Sequence, residues 1–234
     1  VVLSRDASSP DFLRPAAVPV RGTAWQGIMA FPDSAQPDPS AGSPSLSADG
    51  ALLVYGGSTS SGRQVWLRRA DALTPTPVAG SEGLQNPVLS PDGGRIAAIA
   101  GRSGLVVLPV SGGAAIRVVA EIPYSGQFAW FGDTHIVYPD RSGITRISTS
   151  GGPPVSISTV DTAAGEVYHL APAAMSDGQG VVFTVWPGAL DDPALARIAV
   201  TGPDGGTHEI LMPGIEAEHT PGFLLVTRAD GTIV

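Results

Sequence analysis

The chain has 234 residues, and its 30 glycines and 22 prolines make up about 22% of it, against roughly 12% in average proteins. That composition excludes a helical bundle, because Gly and Pro cost about 1 and 3 kcal/mol inside a helix, and 43% apolar with 15% charged residues excludes a disordered chain. A net charge of −8 argues against non-specific binding of nucleic acid or anionic lipid, and the absence of cysteine removes disulfides and thiolate metal sites.

In chain order, residues 1–43 are the least regular part. They hold Val18-Pro19-Val20, a run from Trp25 to Phe31, and a Pro/Asp/Ser loop over 32–40. From residue 44 a repeat sets in. Ser47-Ala48-Asp49-Gly50 precedes an apolar run at 51–55, and Ser90-Pro91-Asp92-Gly93 precedes one at 96–100. Phe131-Gly132-Asp133 precedes 136–138, and Ser176-Asp177-Gly178 precedes 181–186. The aspartates are 43, 41 and 44 residues apart. Five positions before each stand Pro44, Pro87, Phe128 and Pro172, and a degenerate fifth copy is expected to start at Pro221. Later in each repeat a strand-like run ends in a tight turn, as at Gly112-Gly113, Gly151-Gly152 and Gly205-Gly206.

Asp-Gly and Gly-Gly fall where a hairpin needs positive φ or an Asx turn, and runs of four to six residues rich in Val and Ile favour strands. Four strands in ~40–45 residues is the length of a propeller blade. The predicted fold is therefore all-β: a β-propeller of four-stranded antiparallel blades, five or six in number, in a ring that is closed or incomplete. Residues 1–234 are read as one domain, with repeats starting near 44, 87, 128, 172 and 221. Residues 1–43 supply N-terminal closing strands and a loop. Because the chain starts with Val1 and not Met, it is read as processed or cut from something longer.

Ser90-Pro91-Asp92-Gly93 and its sister copies resemble the TolB-like propeller, also called the WD40-like or PD40 propeller. The likeness covers about residues 43–234 and is closest to the extracytoplasmic propeller of bacterial receptor-type serine/threonine kinases. Stretches such as Gln64-Val65-Trp66-Leu67-Arg68-Arg69 and Glu166-Val167-Tyr168-His169 carry it. One departure is Leu170-Ala171-Pro172 after His169, where that family has Arg-Trp-Pro. The resemblance implies a sensor or binding domain outside the cytoplasmic membrane, with a kinase and membrane span elsewhere in the parent protein. A periplasmic interaction scaffold and the propeller gate of a prolyl-oligopeptidase-type peptidase share the same motif.

Catalytic signatures are missing from the sequence. It has no Gly-x-Ser-x-Gly elbow, no kinase motif, no phosphate loop and no His-x-x-x-His spacing among its four histidines. No catalytic residue, cofactor or metal is expected. The repeated Asp is expected to accept hydrogen bonds in its own turn, and the tryptophans to pack between blades. Gly56-Gly57-Ser58-Thr59-Ser60-Ser61-Gly62 is expected to be a flexible hairpin loop. The polar residues leading into successive inner strands should converge on one rim of the central channel. These are Gln85, Asn86, Gln127, Glu166, Tyr168, His169, Glu218 and His219, and they form the candidate site for a small ligand or a protein partner.

Overall fold

A computed structural model of the chain describes residues 31–60, 62–124, 127–175, 178–188, 190–220 and 222–234. The expectations placed on residues 1–30, including Trp25, and on Asp177 and Pro221 themselves, lie outside the described residues.

Four sheets follow one another, each a four-stranded antiparallel meander in chain order. The first joins β1 (Ser45–Leu46), β2 (Leu52–Thr59), β3 (Gly62–Arg69) and β4 (Thr76–Pro77). The second joins β5 (Leu84–Leu89), β6 (Arg95–Ala100), β7 (Gly104–Pro109) and β8 (Ile116–Val119). β9 (Ala129–Phe131), β10 (His135–Pro139), β11 (Ile144–Ser148) and β12 (Val155–Ser156) make the third. β13 (Tyr168–Ala174), β14 (Val181–Trp186), β15 (Arg197–Thr201) and β16 (Glu209–Pro213) make the fourth. β17 (Glu216–Thr220) and β18 (Phe223–Thr227) pair alone, joined at Thr227 by a single bridge to Ile233.

The first strand of each sheet packs on the sheet before it: β5 on β2 and β3, β13 on β9 and β10, β17 on β13 and β14. The core is accordingly a series of layers between sheets. Val54, Val65 and Leu67 meet Leu84, Ile96 and Leu108 between the first pair. Ile99, Leu105, Trp130 and Tyr138 fill the second gap, Val137, Ile144, Phe183 and Val185 the third, and Val182, Ile198 and Val226 the fourth. Face-to-face sheets that each seal against the next are the blades of a β-propeller. Among the described residues four blades are complete, the fifth has two strands, and the ring is not closed.

The repeated motif has the predicted local role. Ser47 Oγ donates to Asp49 Oδ1 at 2.6 Å and accepts from the Leu52 N–H, while Asp49 Oδ1 also accepts from the Ala51 N–H. Ser90 and Asp92 repeat this around the Arg95 and Gly94 N–H groups. The hairpin's own donors thus absorb the carboxylate, and both aspartates are held below their ordinary range, chiefly by the serine hydroxyl. In the third blade, where no Ser precedes it, Asp133 turns outward and accepts from the Asp92 N–H of the second. Trp130 packs between the second and third blades and donates through Nε1 to the Val88 carbonyl. Trp66 packs with Tyr55 and Ala35.

Two expectations are corrected. Gly56 and Gly57 belong to β2 and are buried, so strand, not loop, runs as far as Thr59, which pairs with Gly62. The glycines are required by a crossing segment: Asp38 N–H donates to the Gly56 carbonyl, and a Cβ on Gly56 would sit 2.5 Å from that of Ala41. The fifth unit also starts earlier than Pro221. Its first strand is β17, and the turn around Gly222 (φ 83°) takes the place of the Asp-Gly turn. β17 reads Glu-Ala-Glu-His-Thr with only Ala217 buried, so it carries no apolar run to reveal it.

Candidate functional site

The inner strands of the second and fourth blades share a deformation. β5 slips register between Gln85 and Val88, and β13 between Leu170 and Ala173. At each slip the residue before proline is left-handed: Asn86 has φ 52° ahead of Pro87, and Ala171 has φ 47° ahead of Pro172. Positive φ is unusual outside glycine and disfavoured for Ala, so a bulge in the same place on two blades is backbone strain held by its surroundings. Part of that holding is visible. Gln127, leading into β9, accepts the Ala171 N–H on its Oε1 at 3.1 Å. Asn86 packs against the backbone of Gly42, which leads into β1.

Three of the eight predicted residues lie at these bulges or the lead into β9: Gln85 and Asn86 on the second blade and Gln127 on the third, all half-buried. Gln85 Oε1 accepts from Arg63 Nη1 at 2.6 Å, and Arg63 also reaches Ser40 Oγ at 2.9 Å and Asp38 at 3.7 Å. Tyr168 stays near the same edge, half-buried, with its ring edge-on to Tyr124 at 5.9 Å. Glu218 and His219 stand on β17 opposite Leu225 and Leu224, Glu218 exposed and His219 half-buried.

Glu166 and His169 are placed differently. They are 8% and 1% exposed and lie inside the layer between the third and fourth blades. His169 Nε2 meets Glu166 Oε2 at 2.9 Å, and its Nδ1 meets Ser158 Oγ at 2.7 Å. A third side chain, absent from the sequence prediction, completes the group. His208 Nε2 lies 2.8 Å from Glu166 Oε1, and its ring is edge-on to that of His169 at 4.9 Å. The Asp161 N–H donates to Glu166 Oε2 at 2.8 Å. Burial alone would raise Glu166, but the Asp161 N–H and the two imidazoles outweigh it, so its carboxyl is held below the usual value. Burial keeps His169 below its ordinary value against the pull of Glu166.

The fold explains how His208 arrives. In the second and fourth blades the turn between third and fourth strands lies on the preceding blade: Gly113 N–H donates to the Ala79 carbonyl, and Gly205 sits against Ser156 and Ile157. Thirty-nine residues separate His169 from His208, and no local spacing rule spans them. The one usable signal was the Gly205-Gly206 turn, whose seat on the preceding blade becomes visible only in three dimensions. Two shallow grooves, of about 440 Å³ around Tyr138, Asp140 and Arg141 and about 210 Å³ around Pro193, Pro213 and Arg228, are lined by none of the eight predicted residues.

No protein-family model matches the chain, and no curated protein matches it. Solved structures do. A protein assigned as TolB in Agrobacterium tumefaciens aligns with a TM-score of 0.57 and 20% identity, over 77% of this chain and 64% of its own. TolB from Acinetobacter baumannii aligns with a TM-score of 0.58 and 15% identity, over 82% and 52%. The fold is a TolB-like β-propeller. The β-propeller domain of the Trilobed protease from Pyrococcus furiosus, described as having an open velcro topology, also aligns, at a TM-score of 0.54 and 13% identity over 79% and 62%. This propeller thus spans between half and two thirds of the length of the TolB chains it matches. Among its described residues no helix is long and apolar enough to cross a membrane.

Proposed function

We propose that this propeller is a non-catalytic binding module whose ligand-facing surface is the channel rim formed by the inner strands. The observation that carries the reading is the repeated left-handed bulge at Asn86-Pro87 and Ala171-Pro172, the second held by Gln127 from the preceding blade. Strain held at one rim by side chains of neighbouring blades presents polar groups in a fixed array, and fixed groups lose little entropy on binding. The partner is a protein segment or a small ligand with several hydrogen-bonding groups; nucleic acid does not suit a chain of net charge −8. We place the domain outside the cytoplasmic membrane, as the sensing part of a larger bacterial receptor such as a serine/threonine kinase, on the strength of the sequence resemblance. The second reading, a peptidase gate, is favoured by the likeness to the Trilobed protease propeller. Both readings use the channel.

The test is affinity capture of envelope extracts on the native domain and on a Gln127→Ala/Tyr168→Ala variant with an unchanged circular dichroism spectrum. The proposal expects captured material to fall by at least tenfold on the variant. Equal capture would remove the rim as the binding surface.

A further inference from the structure

We infer that Glu166, His169 and His208 form a binding site for a borderline divalent metal ion, of which Zn²⁺ is the type. The site is distinct from the channel rim and does not depend on the function proposed for it. The one carboxylate oxygen and the two imidazole nitrogens that could serve as ligand atoms all lie within 4.8 Å of one another. Both imidazoles present Nε2 to the same carboxylate, at 2.8 and 2.9 Å. Oε2 faces His169 and Oε1 faces His208. A tetrahedral ion with bonds of about 2.0–2.1 Å sets its ligand atoms about 3.3 Å apart, so the hydrogen-bonded pairs open by about half an ångström and the widest pair, within 4.8 Å, closes by up to about 1.5 Å. Two His and one Glu leave the fourth position to water.

The surroundings are those of a built site. A ligating His characteristically donates its other ring N–H to an outer partner, and Ser158 Oγ stands 2.7 Å from His169 Nδ1. The serine proton can rotate, so Ser158 either donates to Nδ1 in the ion-free protein or accepts from it when Nε2 ligates the ion. The carboxylate is steadied independently by the Asp161 N–H. His169 is fixed by Phe183, 4.8 Å away. His208, with 12% of its side chain exposed, gives the ion a way in.

The chain has also been lengthened at this place. In the first two blades Ser81 occupies the position of Ser158: its Oγ accepts from the Val65 N–H as that of Ser158 accepts from the Ile144 N–H. From Ser81 to Leu84, three residues before Pro87, is three residues. From Ser158 to His169, three before Pro172, is eleven. The longer connection carries Glu166 into the layer, and His169 takes the place that Leu84 has. The absence of any His-x-x-x-His pattern does not weigh against the site, because its ligands come from a connection, an inner strand and a turn that crosses from the outer strands.

The experiment is titration of the chelator-stripped protein with Zn²⁺ alone, read by calorimetry and by the thermal midpoint, with Co²⁺ absorption in the visible reporting coordination geometry. We expect one ion per chain, a raised midpoint, and the intense d–d bands of a four-coordinate cobalt site. His208→Gln should weaken Zn²⁺ binding by at least tenfold, and His219→Gln should leave it unchanged. If His208→Gln does not fold, Glu166→Gln, which keeps an acceptor for the Asp161 N–H, takes its place with the same expectation. Sub-stoichiometric uptake, or equal uptake by native and His208→Gln proteins, would overturn the assignment.

Discussion

The layer between the first and second blades and the layer between the third and fourth use one backbone frame for two chemistries. In the first, Leu84 is buried among Val54, Val65, Ile96 and Leu108. Ser81 beneath it closes on the chain's own backbone: Oγ donates to the Val78 carbonyl at 2.6 Å and accepts from the Val65 N–H. In the second, Leu84 gives way to His169, the serine faces an imidazole, and a buried carboxylate takes three donors. An apolar layer is non-directional and tolerates adjustment, whereas a buried polar group is stable only while its partners stay in place. The propeller frame therefore does not require polar chemistry at this position, and the fourth blade carries it there.

The largest expected effect breaks the apolar side. Leu84→Ala should destabilise by about 2–5 kcal/mol through lost burial and the cavity left behind, read as a shift in the urea midpoint at constant m. Next, His169→Leu restores the residue type of the second blade but strips Glu166 of a donor. In the metal-free protein it should destabilise by about 1–3 kcal/mol, and adding Glu166→Gln should recover part of that. A gain in stability from His169→Leu alone would mean that the polar layer is a liability in its own right. Ser81→Ala, which leaves the Val65 N–H buried without its acceptor, should destabilise by about 1–3 kcal/mol. It should do so whether or not metal is present, unlike Ser158→Ala, whose effect should grow with Zn²⁺.

The smallest effect lies away from both layers. Asp49 and Asp92 are held below the ordinary aspartate value by their serine partners. A carboxylate with a depressed folded pKa contributes stability that is fully present above its unfolded value, 3.8, and is lost as pH falls below it. The urea midpoint should therefore drop between pH 5 and pH 3. In an Asp49→Ala/Asp92→Ala variant it should start lower and drop less. A parallel drop in both proteins would show that these hairpin carboxylates do not drive acid sensitivity.

The repeating hairpins were legible because their chemistry is local. Ser90, Asp92 and Gly93 satisfy one another within four residues, and the continuous apolar runs of β6, β7, β10 and β14, buried on both faces, announce themselves. β17 was not legible as a strand, since a half-buried edge of Glu, Glu and His has no apolar signature. Gln85, Asn86 and Gln127 were singled out from their place before the proline column, but the left-handed bulge is a tertiary property of Asn86 and Ala171. Glu166 and His169 were singled out for their types and position in the repeat, yet their burial against Phe183 and their meeting with His208 depend on how one blade's outer turn lies on its neighbour.

The central claim, that the layer between the third and fourth blades is held by one coupled polar network, is tested most directly by a double-mutant cycle. Glu166→Gln, His208→Gln and the double variant would be measured by urea unfolding in chelator. A coupling energy of about 0.5–3 kcal/mol between the two positions is predicted. Additive effects within error would contradict the account, since they would mean that the carboxylate and the imidazole stand 2.8 Å apart without depending on each other.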